Sequence, residues 1–171
     1  MAACERILLA GEADFLLCHH HHGAQGHFEP GRFRSIVVGT DVLVPVTAPG
    51  GAGEPTLPGT SAAPVRFLAY SAASGLGRIL EAVGYSSSKA GSLDTVFTSP
   101  LAAALQTMAR QGHGVAWLPH SMAADDLTAG RLLSAGGDEF SVPVEIRLFR
   151  AADFKSAEAE VFWQAVSRDS A

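Results

Sequence analysis

Four hydroxyl side chains, Ser71, Ser74, Thr98 and Ser99, sit where a β-rich run gives way to a helical one. A helix start leaves backbone N–H groups unpaired and carries the positive end of the helix dipole. Hydroxyls beside such a start suit a carboxylate or another anion. The same residue types also serve as caps and turn residues, so both readings stand. Trp117 belongs to the next β-rich run, where an indole can line a cleft or fill a core. Pro119 ends that run and marks the hinge side of a cleft.

Histidines form the densest cluster of titratable groups: His19, His20, His21 and His22, with His27 close behind. Imidazoles bind zinc, nickel and copper. Consecutive histidines without paired carboxylates or thiolates are poor spacing for a structural metal, however. They read as a solvated polar loop, and no metal or other cofactor is expected. Cys4 and Cys18 form no CxxC pair and point to a reduced, cytoplasmic chain. There is no G-x-S-x-G elbow, no H-E-x-x-H and no P-loop. Gly51-Ala52-Gly53 does not open a helix after a strand, so it is not a dinucleotide fingerprint. No catalytic residue is expected.

The elements that must position these residues follow an alternating order. Cys4, Ile7 and Leu8 lie at helical spacing, with Gly11 as a stop. Residues 14–18 read as a short strand, 19–31 as a polar loop, and 35–40 and 42–46 as two β-rich pieces. The Gly- and Pro-rich segment 47–64 has linker composition. A second series follows: strand 66–70, helix 76–83, strand 94–98, and a helix with Ser99 as N-cap and Pro100 at its first position. Leu101, Leu105, Met108 and Ala109 share one face of that helix. Strand 115–118, helix 120–127, strands 131–133 and 144–149, and an amphipathic helix 155–166 complete the chain.

This order predicts an α/β fold of two Rossmann-like lobes facing each other across a cleft. Lobe I takes residues 1–46 and 145–171, and lobe II takes 47–144. The chain crosses between them near 45–49 and again near 143. At 171 residues, 47% hydrophobic and 17% charged, the chain can bury a sizeable core. The net charge of −5 and twelve scattered Lys and Arg argue against nucleic-acid binding by this chain itself. No apolar run is long enough to span a bilayer.

One stretch, FTSPLAAALQTMARQGHGVAWLP at 97–119, resembles the effector-binding domain of LysR-type transcriptional regulators. Three other pieces are similar to passages of that family: LLAGEADF at 8–15, DVLVPV at 41–46 and GRLL at 130–133. The GVAWLP version and the terminal Phe162-Trp163 are similar to the hypochlorite-responsive subgroup. The resemblance covers essentially the whole chain, with 47–64 the poorest match. It implies a periplasmic-binding-protein-like fold of type 2. It also implies a small anionic or polar effector between the lobes, near Ser71, Ser74, Thr98, Ser99, Trp117 and Pro119.

The resemblance further implies a homodimer or higher oligomer, with helices 4–10 and 101–111 as its faces. DNA would be reached only through a helix-turn-helix domain. That domain and the first strand of the effector domain are not found in the sequence, so a truncated chain is expected. Redox sensing is not carried over, because only Met1, Met108 and Met122 are present and Met108 falls on an apparent core face. A solute-binding protein of the same two-lobed fold and a small α/β enzyme remain as other readings.

Overall fold

The computed structural model describes residues 2–24, 28, 31–50, 57–85, 89–153 and 156–169. His27, Lys155 and the glycine-rich 51–56 fall outside them. The chain opens with helix α1 (Ala2–Leu9). Gly11, at φ +73°, turns the chain out of it. The N–H groups of Gly11 and Glu12 close on the carbonyls of Leu8 and Ile7, a helix stop that favours a residue without Cβ.

Strand β1 (Leu16–His20) follows and pairs antiparallel with β7 (Val142–Ala151), from Leu16 opposite Phe149 to His20 opposite Glu145. The strand thus starts two residues later than its hydrophobic run indicates, and His19 and His20 lie in it instead of in a loop. Pairing with β7 sets those limits, because it supplies backbone partners as far as Glu145. Among the described strands β1 has no second neighbour and stands at the sheet edge.

The two β-rich pieces at 35–46 are one 15-residue strand, β2 (Phe33–Thr47). It pairs with β7 from Phe33 opposite Ala151 to Leu43 opposite Val142, and one irregularity between Val37 and Gly39 takes up Val38. Pro45 cannot donate to a ladder. It falls beyond the last pair with β7, opposite Trp117 of β5 (Ala116–Pro119), and its carbonyl accepts the Ala135 N–H. The sheet runs β1-β7-β2-β5, with the short β6 (Leu133–Ser134) also on β2.

Strands β3 (Val65–Tyr70) and β4 (Leu93–Ser99) form a separate parallel pair, joined to the start of β5 by a bridge from Phe67 to Val115. Helices α2 (Gly75–Ala82) and α3 (Ala102–Arg110) pack against this pair, α4 (His120–Thr128) packs against β2 and β5, and α5 (Ala157–Asp169) is the last described element. Helix α3 starts later than the Ser-Pro pair indicates. Ser99 is still paired with Tyr70 as the last residue of β4, so Leu101 becomes the N-cap and is exposed instead of sharing the buried face. Leu105 and Ala109 are buried, and Met108 packs against them at the core edge.

Two apolar cores result. The larger gathers Leu43, Phe67, Leu68, Leu80, Leu105, Val115, Trp117 and Leu118, and the smaller gathers Leu8, Leu16 and Phe149. An ion pair between Arg78 of α2 and Glu5 of α1 links the elements over them. The fully buried Asp126 of α4 accepts from Gln106 Nε2 at 2.8 Å, Arg110 Nε at 2.5 Å and Arg131 Nε at 2.6 Å. Burial works to raise its pKa, but these three donors outweigh that and hold it below the usual carboxylate range.

Candidate functional site

Because β3 and β4 are parallel, their carboxyl ends lie together. Ala69 stands opposite Thr98 and Tyr70 opposite Ser99. The Ser71 N–H donates to the Ser99 carbonyl at 3.1 Å, and the Ser74 N–H turns back to the Ser71 carbonyl at 2.9 Å. Ser71, Thr98 and Ser99 are thereby brought to one edge, with Ser74 as N-cap of α2. The hydroxyl of Ser74 makes no capping bond, although the residue is buried. Ser99 Oγ accepts the Leu101 N–H at 3.2 Å, a turn contact in place of a helix cap. Thr98 is exposed.

A cavity of about 600 Å³ opens beside this edge. Ser71, Ala72, Gly77 and Arg78 form one side, and Gly23 and Ala24, just after the histidine run, another. Phe67, Ala69 and Leu80 add apolar wall. Gly77 lets α2 lie against β3, since a Cβ there would sit 2.9 Å from Tyr70 Cβ and 3.0 Å from the Ser71 carbonyl oxygen. The volume falls in the range of small-molecule sites.

A second cavity, about 780 Å³, lies where β2 and β7 run together. It receives His20, His21 and His22 from the end of β1, Asp41 from β2, Glu145 and Arg147 from β7, and His120 from α4. Asp41 Oδ1 accepts the N–H groups of Val42 at 2.7 Å and Ser121 at 3.2 Å, and Oδ2 accepts the Ser121 hydroxyl at 2.5 Å. Burial pushes the Asp41 pKa up, but Ser121 and the two backbone donors prevail and lower it. Glu145 is held low chiefly by Arg147, whose Nε donates at 2.6 Å. Among the described residues no three His, Cys, Asp or Glu side chains are placed to hold a metal ion.

Residues 1–171 match the family model described as LysR substrate binding domain. The chain belongs to this LysR family. It is 30% identical over 98 residues to the HTH-type transcriptional regulator YjiE of Escherichia coli K12, a match covering 57% of this chain and 32% of YjiE. The regulatory domain of HypT from Salmonella typhimurium, in its apo form, superposes with a TM-score of 0.79 at 29% identity, covering 98% of this chain and 78% of that one. The same domain with a bromide ion bound gives 0.78 at 27% identity, covering 98% and 77%. The LysR-type domain is thus a regulatory, effector-binding α/β unit with the type 2 periplasmic-binding-like fold. The match spans about a third of the curated relative's length. No helix among the described residues is long and apolar enough to cross a membrane.

Of the six expected effector contacts in this LysR-type domain, Ser71 alone lines one of these cavities; Ser74, Thr98 and Ser99 line neither, and Trp117 and Pro119 take other positions. Trp117 is fully buried, its indole N–H donating to the Phe140 carbonyl at 2.8 Å. Phe67 meets it edge-on at 5.7 Å and Tyr85 stacks at 5.8 Å, so Trp117 faces the core and lines neither cavity. Pro119 is buried as the N-cap of α4, and the next residue, His120, reaches the crossing-strand cavity in its place. That cavity escaped the sequence reading. Its acidic and basic groups lie about a hundred positions apart, and only the register, Thr40 opposite Glu145 and Asp41 opposite Val144, joins them.

Proposed function

We propose that this chain is the sensing part of a LysR-type transcription regulator, cytoplasmic and without catalytic activity, and that its effector enters between lobe I (1–46 and 145–171) and lobe II (47–144). The carrying observation is the cavity of about 600 Å³ with Gly23 and Ala24 on one side and Ser71, Ala72 and Arg78 on another. Ser71 supplies a hydroxyl to its lining, and Thr98 and Ser99 at the end of β4 and Ser74 at the start of α2 stand next to lining residues. The bromide-bound HypT domain favours a small anion or an anionic group on the effector. Binding acts by favouring one arrangement of the lobes, and only a difference in affinity between arrangements transmits a signal. DNA is contacted through a helix-turn-helix domain. Homodimerisation uses α1 and α3, where Ile7, Leu9 and Leu101 are exposed.

The test is a thermal-shift screen of bromide and small carboxylates against the wild-type chain and a Ser71→Ala, Thr98→Val variant. A ligand at a hundred times its dissociation constant adds about 2.7 kcal/mol of stability. That gain is expected in the wild type and lost in the variant. Equal stabilisation of both proteins would move the effector elsewhere.

A further inference from the structure

We propose that the cavity beside the crossing of β2 and β7 is a second ligand site, taking a small organic dianion with two carboxylates, and that it binds this ligand more tightly at lower pH. It shares no lining residue with the cavity beside Ser71. Imidazoles reach it from two directions, His20, His21 and His22 from the end of β1 and His120 from the start of α4. The Gly23 N–H donates to His21 Nδ1 at 3.1 Å, so the neutral ring keeps its proton on Nε2. His21 therefore offers a donor to an anion even when uncharged.

The two carboxylates in the wall do not cancel this. Asp41 has both oxygens occupied by Val42 and Ser121, and on its other side His19 Nε2 stands 3.7 Å away. Glu145 takes Arg147 Nε at 2.6 Å and faces His20 Nδ1 at 3.4 Å. Arg147 also donates to Ser35 Oγ, so its charge stays at the wall. From outside the cavity Lys89 adds positive potential at His21, while Arg78 is answered by Glu5.

The His21 and His22 rings, 4.3 Å apart at the end of β1, and His120 of α4 line a cavity of about 780 Å³ from two elements, which suits a ligand with two acceptor groups, whereas a metal ion needs convergent ligands. Val42, Pro143 and Val144 provide apolar wall for a carbon skeleton. Protonation of His21 is opposed first by its burial, then by His22 and His20. A dianion among these rings reverses the mutual repulsion, and the complex takes up protons on forming. Affinity then rises as pH falls and His21 takes up its proton in the complex.

Glutarate is the probe, titrated calorimetrically into the full 171-residue chain at about pH 6.5 and about pH 8.5. Binding at one site, about ten-fold tighter at the lower pH, is expected. His21→Gln with His120→Gln weakens binding at the lower pH and flattens the dependence. Gln164→Ala, at an exposed position of α5 outside both cavities, leaves both unchanged. His120 is exposed and His21 is half-buried at a strand end, so the double variant is expected to keep the wild-type urea midpoint. No glutarate binding at either pH, binding independent of pH, or a wild-type pH dependence in the double variant would overturn the proposal.

Discussion

Replacing Trp117 by Phe separates a core role from a ligand-contact role. The indole N–H is the donor to the Phe140 carbonyl at 2.8 Å, and both residues are buried. Leaving that carbonyl short of a donor costs about 1–3 kcal/mol. The smaller ring vacates about 40 Å³, which at about 24 cal/mol per Å³ adds about 1 kcal/mol. A total loss of about 2–4 kcal/mol follows, a large share of a domain's usual stability. Urea unfolding followed by circular dichroism measures it, with Trp163 left as a fluorescent reporter of the second tryptophan position. The midpoint should fall while the slope stays constant, since the surface exposed on unfolding is nearly unchanged. Ligand stabilisation should persist once corrected for the lower baseline. A loss below about 0.5 kcal/mol, the scale of a surface change, would refute the core assignment, more so if ligand binding vanished with it.

Asp126→Asn should cost about 2 kcal/mol, below the usual figure for a broken buried pair because Arg110 and Arg131 are themselves half exposed. The Asp126 pKa is lowered in the fold, so the wild-type advantage is full above the unfolded carboxylate pKa, about 4, and fades as pH falls through the folded value. Urea midpoints measured from neutral to acid pH should therefore converge for the two proteins. Gly77→Ala ought to stabilise α2 by about 1 kcal/mol on helix propensity alone. The close Ser71 carbonyl and Tyr70 Cβ reverse the sign, and a lowered melting temperature checks this. The two thiols should differ: Cys4 is exposed, whereas burial first and Glu5 second push Cys18 up to about 11. Ellman's reagent at neutral pH should titrate Cys4 quickly and Cys18 only on unfolding.

Much of the fold is legible because it is written in short-range periodicity. The run 97–119 contains strand, helix and strand in the order observed, and Leu105 and Ala109 mark the buried face of α3 at helical spacing. The boundaries that shift are those decided by a partner strand. Ser99 is a good cap by type, yet pairing with Tyr70 keeps it in β4. His19 and His20 look like loop by type, yet Ile146 and Glu145 stand opposite them across the β1–β7 ladder. The site divides the same way. Ser71, Thr98 and Ser99 converge because parallel strands align their ends, which alternation of strand and helix already indicates. The crossing-strand cavity depends on which residue of β2 meets which residue of β7, and composition carries no trace of that. Trp117 shows that residue type and position on a strand do not tell which face is wet.

The strands that lead into the two expected passages are paired with each other up to Leu43 and Val142. From Phe33 to Leu43, β2 is bonded to β7 along one ribbon, broken in register only at Val38. A pair of independent linkers bends easily in every direction. A hydrogen-bonded ribbon resists bending in its plane and yields mainly by twisting about its long axis. Ligand-driven motion in this molecule would then be stored as torsion, like a wound bar, with the irregularity at Val38 as its most compliant point. Stiffening that point, by deleting Val38 to restore the ladder, would alter how far one end turns when the other is loaded, without touching a single ligand contact.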